Sequence, residues 1–133
     1  MEDAIKNLLK KIEAVAPVEK HMPADEGSVN KVRLAAPQEI PQDLILLWQI
    51  TDGIEINVPG TRLYSVAEAT EYLLDDSKTD GGLFPLGSLD FGDNLYINAT
   101  GEVIQIDHEN GEVFLTWRSL IQFLEDELLS CEG

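Results

Sequence analysis

The chain is poor in cysteine, in cations and in long apolar runs. Its one cysteine, Cys131, has no partner with which to close a disulfide. The opening Met-Glu-Asp-Ala-Ile carries no basic, apolar leader, so the expectation is a reducing, intracellular and hence cytoplasmic compartment. Lys and Arg together number 9 against 25 Asp and Glu, a net charge of −16. A surface of that sign repels phosphate backbones and anionic lipids, which disfavours direct nucleic-acid or membrane binding. No apolar stretch approaches the roughly 20 residues that a membrane-spanning helix needs. Aromatic residues make up only 7% of the chain, and cation-poor surroundings rule them out as a base-stacking platform.

Catalytic groups are equally sparse. His21 lies in a polar connection, and His108 lies in a turn as Asp107-His108-Glu109. Neighbours in a turn diverge, whereas a catalytic pair must converge, so a turn histidine is the better reading. No serine sits in a nucleophile-elbow pattern. Asp90-Phe91-Gly92 spells the magnesium-binding tripeptide of protein kinases, but 133 residues without a glycine-rich loop cannot build that fold. Asp90-x-x-Asp93 offers two carboxylates and no histidine, enough at most for a weak surface Ca²⁺. The expectation is a non-enzyme with no cofactor, no metal and no catalytic residue.

What is present is the material of a globular domain. Hydrophobic residues reach 44%, and 133 residues suit a single domain, taken as 1–133, that needs no covalent staple. The charge is unevenly placed. Residues 1–33 hold six cations and six acids, so the whole −16 belongs to residues 34–133, whose cations are Arg62, Lys78 and Arg118. Solubility alone accounts for such a charge; a face for a basic partner is the functional alternative.

Periodicity predicts a helix over 2–16, with Ile5, Leu8, Leu9, Ile12 and Val15 on one face. Further helices are expected over 24–36 and 41–51, the latter opened by Pro41, carrying Trp48, and stopped at Asp52-Gly53. Alternation over 54–58 and 61–64 around Pro59-Gly60 predicts a hairpin. Ser65-x-x-Glu68 is a capping box for a helix over 66–74, and 75–82 is expected to be a polar, mobile loop. Four strands, 83–89, 94–98, 102–107 and 112–116, follow with short glycine-containing connections. A last helix over 117–130 would bury Trp117, Leu120, Ile121, Leu124 and Leu128 and turn Glu125-Asp126-Glu127 outward. The fold class is α+β: a curved antiparallel sheet of about six strands with helices at the N- and C-terminal ends.

Several motifs fall in a familiar order. They are Ile40-Pro41-Gln42-Asp43-Leu44, Leu47-Trp48, Asp52-Gly53, Leu63-Tyr64-Ser65, Phe84-Pro85-Leu86-Gly87, Phe91-Gly92-Asp93-Asn94-Leu95, Gly101-Glu102-Val103, Asp107-His108, Trp117, Ser119-Leu120 and Phe123-Leu124. The order resembles that of the SUKH superfamily, the Smi- and Knr-type domains, over about residues 24–128. Ile40, Asp52 and Leu120 are mild departures from its pattern. Pro41, Trp48, Gly53, Gly92, Gly101 and Trp117 each have a structural explanation as helix start, helix stop, turn or core.

The resemblance implies a non-enzymatic immunity protein that neutralises a cognate polymorphic toxin, of which many are nucleases. It implies, as the alternative, an intracellular regulatory or scaffold module. A basic toxin domain would be the partner of the acidic part of the chain. The candidate contacts are Glu55 and Tyr64 on the first hairpin, Asp75, Asp76 and Asp80 on the loop, Asp90 and Asp93 at a strand turn, and Glu109 and Glu112 around the last hairpin. A monomer or a weak homodimer is expected.

Overall fold

The computed structural model describes residues 2–57, 60–75 and 82–132, and the side chains of 3–57, 60–75 and 82–129. The order is α1 (Glu2–Val15), β1 (Val18–Lys20), α2 (Glu26–Ala35), α3 (Gln42–Ile50), β2 (Ile54–Ile56), β3 (Thr61–Leu63), α4 (Val66–Leu74), β4 (Phe84–Leu89), β5 (Asn94–Ile97), β6 (Val103–Ile106), β7 (Val113–Trp117) and α5 (Leu120–Glu132). All seven strands form one sheet in chain order, and every pairing is antiparallel. The expected α+β class is therefore observed, with helices at both ends of the chain and one strand more than the six expected. The extra strand, β1, is only Val-Glu-Lys. Its backbone is drawn into register with Ile56, Glu55 and Ile54 of β2.

Two registered rows explain how the sheet is used, because side chains directly opposite one another share a face. One row runs Lys20–Ile54–Leu63–Gly87–Leu95–Gln105–Leu115, buried everywhere except at its two ends. The other runs Glu19–Glu55–Arg62–Ser88–Asn94–Ile106–Val113, and none of its members is buried. The first row belongs to the core, where Ile5, Leu9 and Ile12 of α1, Leu44, Leu47 and Trp48 of α3, and Leu120, Phe123 and Leu124 of α5 join it. Helix α1 packs on α5 and α3, while α2 packs on α4.

Local chemistry sets the boundaries. Asp25 caps α2 by accepting the Ser28 N–H at 2.7 Å. Pro41 is the N-cap of α3, and its carbonyl accepts from Leu44 and Ile45. Ser65 and Glu68 form the reciprocal capping box of α4. Gly53 sits at φ +89°, and a Cβ there would lie 2.9 Å from the Ser65 nitrogen, so glycine is required on two counts. Gly92 and Gly101 occupy turns. Pro59 and most of the 75–82 loop lie outside the described residues.

Two expectations need correction at the C-terminal end. Trp117 is the last residue of β7 rather than the start of a helix. Its ring stands edge-on to Phe123 at 4.9 Å, and its indole N–H donates to Asp126 at 2.6 Å. Glu127 does not turn outward. It is 8% exposed and accepts a 2.8 Å hydrogen bond from the Thr61 hydroxyl, which ties α5 to β3. Burial pushes its carboxyl up, as it does that of Asp43 at the start of α3. Asp43 accepts from the Leu120 N–H at 3.2 Å and so satisfies one free donor at the start of α5.

Gly87 marks the tightest approach in the sheet. A Cβ at this position would overlap the Arg62 carbonyl oxygen and lie 3.0 Å from Leu63 Cα, both backbone atoms of β3. Gly87→Ala should therefore cost about 2–4 kcal/mol in chemical denaturation, since backbone cannot yield as a side chain can. A loss below half a kcal/mol would refute that close approach. Because the Glu127 carboxyl is raised, its contribution favours folding below the ordinary carboxylate range and is lost as pH rises through the folded value. Glu127→Gln should thus gain on the wild type at pH 7, and the gain should vanish toward pH 4, as followed by thermal melts.

Candidate protein-binding face

The exposed row begins with acid at β1–β2 and continues with Arg62 on β3. Arg62 lies opposite Glu55 in the β2–β3 register, with its Nε 3.7 Å from the Glu55 carboxylate. On its other side the guanidinium pairs with Glu68, the residue that also closes the capping box of α4. One cation is thus held between two carboxylates on two elements. Two concavities share Glu55 and Arg62. One, of about 540 Å³, also takes in Asp25, Asp52 and Glu68; the other, of about 330 Å³, takes in Asp90. Arg62 is the only Lys or Arg among the described residues lining the two, against five acids. The ground state is therefore a shallow, negatively charged hollow with a fixed positive centre.

Aromatic surface adjoins it. Tyr64 leaves β3 with its backbone fixed at both ends: its N–H donates to Leu86 and its carbonyl accepts from the Trp48 indole at 3.2 Å. Its ring stacks on Tyr72 of α4 at 6.2 Å, and the Tyr72 and Tyr96 hydroxyls share a 2.8 Å hydrogen bond. Burial raises the Tyr64 phenol above its ordinary range, so it remains neutral. Tyr64, Glu68, Glu71, Tyr72 and Asp75 line a third hollow of about 320 Å³. The result is rigid, half-buried aromatic area beside carboxylates.

Of the residues expected to meet a partner, Glu55, Tyr64, Asp75 and Asp90 come together on this side of the sheet. Asp76 and Asp80 lie outside the described residues. Glu109 and Glu112 are exposed but belong to the β6–β7 turn. That turn is four strands from β3, roughly 20 Å away by strand spacing. Asp93 is placed differently from its expected surface position: it is 3% exposed. One carboxylate oxygen accepts from Gln105 of the buried row, and the other meets the His108 ring Nδ1 at 2.6 Å and the His108 N–H at 3.0 Å. Its acid is thereby committed inside the fold.

The His108 partner is a carboxylate fifteen positions away and not its neighbours in the turn. Asp93, Asp107 and His108 bring potential ligand atoms within 4.8 Å of one another. All three already serve the chain, because Asp107 accepts from the Glu109 N–H at 2.7 Å. The cluster braces the start of β5 against the β6–β7 turn. Arg62, Glu68 and Tyr72 were the face residues that sequence reasoning did not single out. The signal for Arg62 was available: mirrored alternation about the 57–60 turn sets it opposite Glu55.

The hydrogen bond from His108 holds Asp93 below the usual carboxylate range, and the same bond raises His108. Asp93 therefore stabilises the fold above its unfolded value near 3.8 and ceases to as pH falls through its lower folded value. His108 stabilises below 6.5 and ceases to as pH rises through its higher folded value. The stability difference between wild type and His108→Gln in thermal melts should accordingly be flat from about pH 4 to 6.5 and shrink above that window. An NMR titration placing His108 below 6.5 would contradict the pairing.

The sequence profile of the SMI1 / KNR4 family (SUKH-1) matches residues 23–126, most of the chain. The chain belongs to that family. No curated protein matches it. The match leaves out α1, whose Ile5, Leu9 and Ile12 nonetheless share the core with the matched part. No helix among the described residues is long and apolar enough to cross a membrane.

Proposed function

We propose that this member of the SMI1 / KNR4 family is a non-enzymatic, immunity-type protein that captures a basic toxin domain on the face around Glu55, Arg62 and Glu68. The observation that carries this reading is the hollow itself, five acids about one fixed cation with tyrosines alongside. A domain that cuts or holds nucleic acid must present positive charge to phosphate, and an acidic surface competes for that same charge. The acids steer approach, while the Tyr64–Tyr72 stack supplies the preorganised aromatic contact in which interface energy concentrates. Arg62 adds selectivity, since a partner must offer it an acceptor or leave it in its two ion pairs. A regulatory module without a toxin would use the same face for a partner of the same sign.

Co-expression with a toxin-type domain encoded beside this chain is the direct test, with rescue of growth and a co-purifying complex expected. Glu55→Lys combined with Asp90→Lys should slow association about tenfold at low salt, the deficit shrinking as ionic strength rises to roughly 0.5 M. Tyr64→Ala should act on dissociation instead, at a cost of about 2 kcal/mol. Association that ignores both the charge reversal and the salt would sink the electrostatic reading. A complex whose partner is harmless to cells would favour the regulatory role.

A further inference from the structure

An antiparallel strand with one wet face ordinarily turns its polar residues outward. Strand β6 does the opposite. Val103 and Gln105 are buried, while Ile104 and Ile106 are only half-buried on the other face. The inward glutamine is engaged, donating to Asp93 at 2.8 Å. The two isoleucines belong to the open face of the sheet, and neither joins the core. Ile106 stands opposite Val113 of β7, which is 60% exposed, and Ile104 stands opposite exposed Thr116. Cross-strand neighbours of this kind make one contiguous apolar strip.

The strip continues the acidic hollow. Ile106 and Val113 end the registered row that begins with Glu19 and Glu55 and passes through Arg62, Ser88 and Asn94. Seven strands set six spacings of roughly 4.8 Å, so the row is about 29 Å long. A standard protein–protein patch covers about 800 Å² on each partner, roughly 30 Å across. The strands under the hollow, β2–β4, cover only part of that length, and the strip supplies the rest. Acid borders the strip as well, because Glu109 and Glu112 are exposed in the β6–β7 turn. We infer that the open face of the sheet is a single binding surface, on which Ile104, Ile106 and Val113 anchor an apolar patch of the same basic domain that the hollow around Arg62 attracts. This surface presupposes the capture proposed above and specifies the partner further: exposed apolar side chains roughly 15–20 Å from its positive patch. Charge selects that occupant. A second copy would bring the same −16 to the same acidic border, and anionic lipid is repelled likewise. An apolar anchor inside a charged rim is the arrangement in which interface energy concentrates. Glu109 and Glu112, too far from Arg62 to share its hollow, then belong to the rim.

The full chain and the toxin-type domain encoded beside it are the pair to measure, by surface-plasmon kinetics. Ile106→Ser combined with Val113→Ser should raise the dissociation rate about tenfold or more and leave the association rate and its salt dependence within about twofold. Glu55→Lys with Asp90→Lys should instead act on association. Leu129→Ser, at a leucine 65% exposed on α5, should change neither rate. Thermal melts establish that each variant is folded, and methyl NMR of the wild-type complex should shift Ile104, Ile106 and Val113 together with signals around Glu55. Shifts confined to β1–β4, with unchanged kinetics in the Ile106 and Val113 variant, overturn the inference and leave acidic capture standing. A complex indifferent to Glu55, Asp90 and salt, or no complex at all, overturns both. Self-association of the free chain that the same two serines abolish gives the strip to a second copy and overturns the inference alone.

Discussion

At Leu63 and Gly87 two backbones come so close that no Cβ fits between them, and the whole sheet turns on that contact. Strands β1–β3 come from residues 18–63 and β4–β7 from residues 84–117. The β3–β4 pairing is the one ladder joining these halves in the described strand order. Helix α4 and the segment after it lie between the two strands in sequence, yet the strands are antiparallel neighbours. The capping box and the Asp52 carboxylate, which accepts the Val66 N–H at 2.7 Å, fix where α4 departs. Close approach at Gly87 then lets β4 dock beside β3 and carry the buried row across.

The same joint arranges the charge. Thr61 and Leu63 point into the core, which obliges Arg62 to face out between Glu55 and Glu68. A chain so rich in acid must also hold some carboxylates inside, and each buried one has a donor. Asp43 takes the Leu120 N–H, Glu127 the Thr61 hydroxyl, and Asp93 the Gln105 amide and His108. Two of these are pushed up by burial, while Asp93 is pulled down by its histidine. The difference follows the balance of burial against charge-assisted bonding: desolvation dominates at Asp43 and Glu127, whereas the hydrogen bonds from His108 and Gln105 outweigh it at Asp93.

Local signals were legible in the residues themselves. The 54–63 hairpin, the Ser65-x-x-Glu68 box, the four later strands and the glycine stop after α3 all announce themselves within a few positions. What was not legible is whatever two distant segments decide together. Val18–Lys20 becomes a strand because β2 offers an edge, and three residues carry no period of their own. Glu127 looks like part of an outward acidic run until Thr61, 66 positions away, takes it in. Trp117 has the character of a helix-face residue, but β6 claims it for the sheet. The candidate face was half legible: Glu55, Tyr64, Asp75 and Asp90 follow from charge and alternation, while the bond that removes Asp93 from the surface spans fifteen positions.

Every strand in this sheet pairs with its neighbour in sequence, which bears on how quickly the chain can order itself. Hairpins of few residues close at small entropic cost, and contacts of short sequence separation favour fast folding. The β1–β2 pairing spans α2 and α3, the β3–β4 pairing spans α4, and the packing of α1 on α5 spans more still, because it joins residues 2–15 to residues 120–132. Closing a loop of that span costs on the order of 3 kcal/mol more than closing a hairpin. The meander between them removes most of that cost in advance by drawing the two helices together strand by strand. Ile5, Leu9 and Ile12 therefore act as a latch between the two ends of the chain, buried against a surface that the rest of the chain supplies.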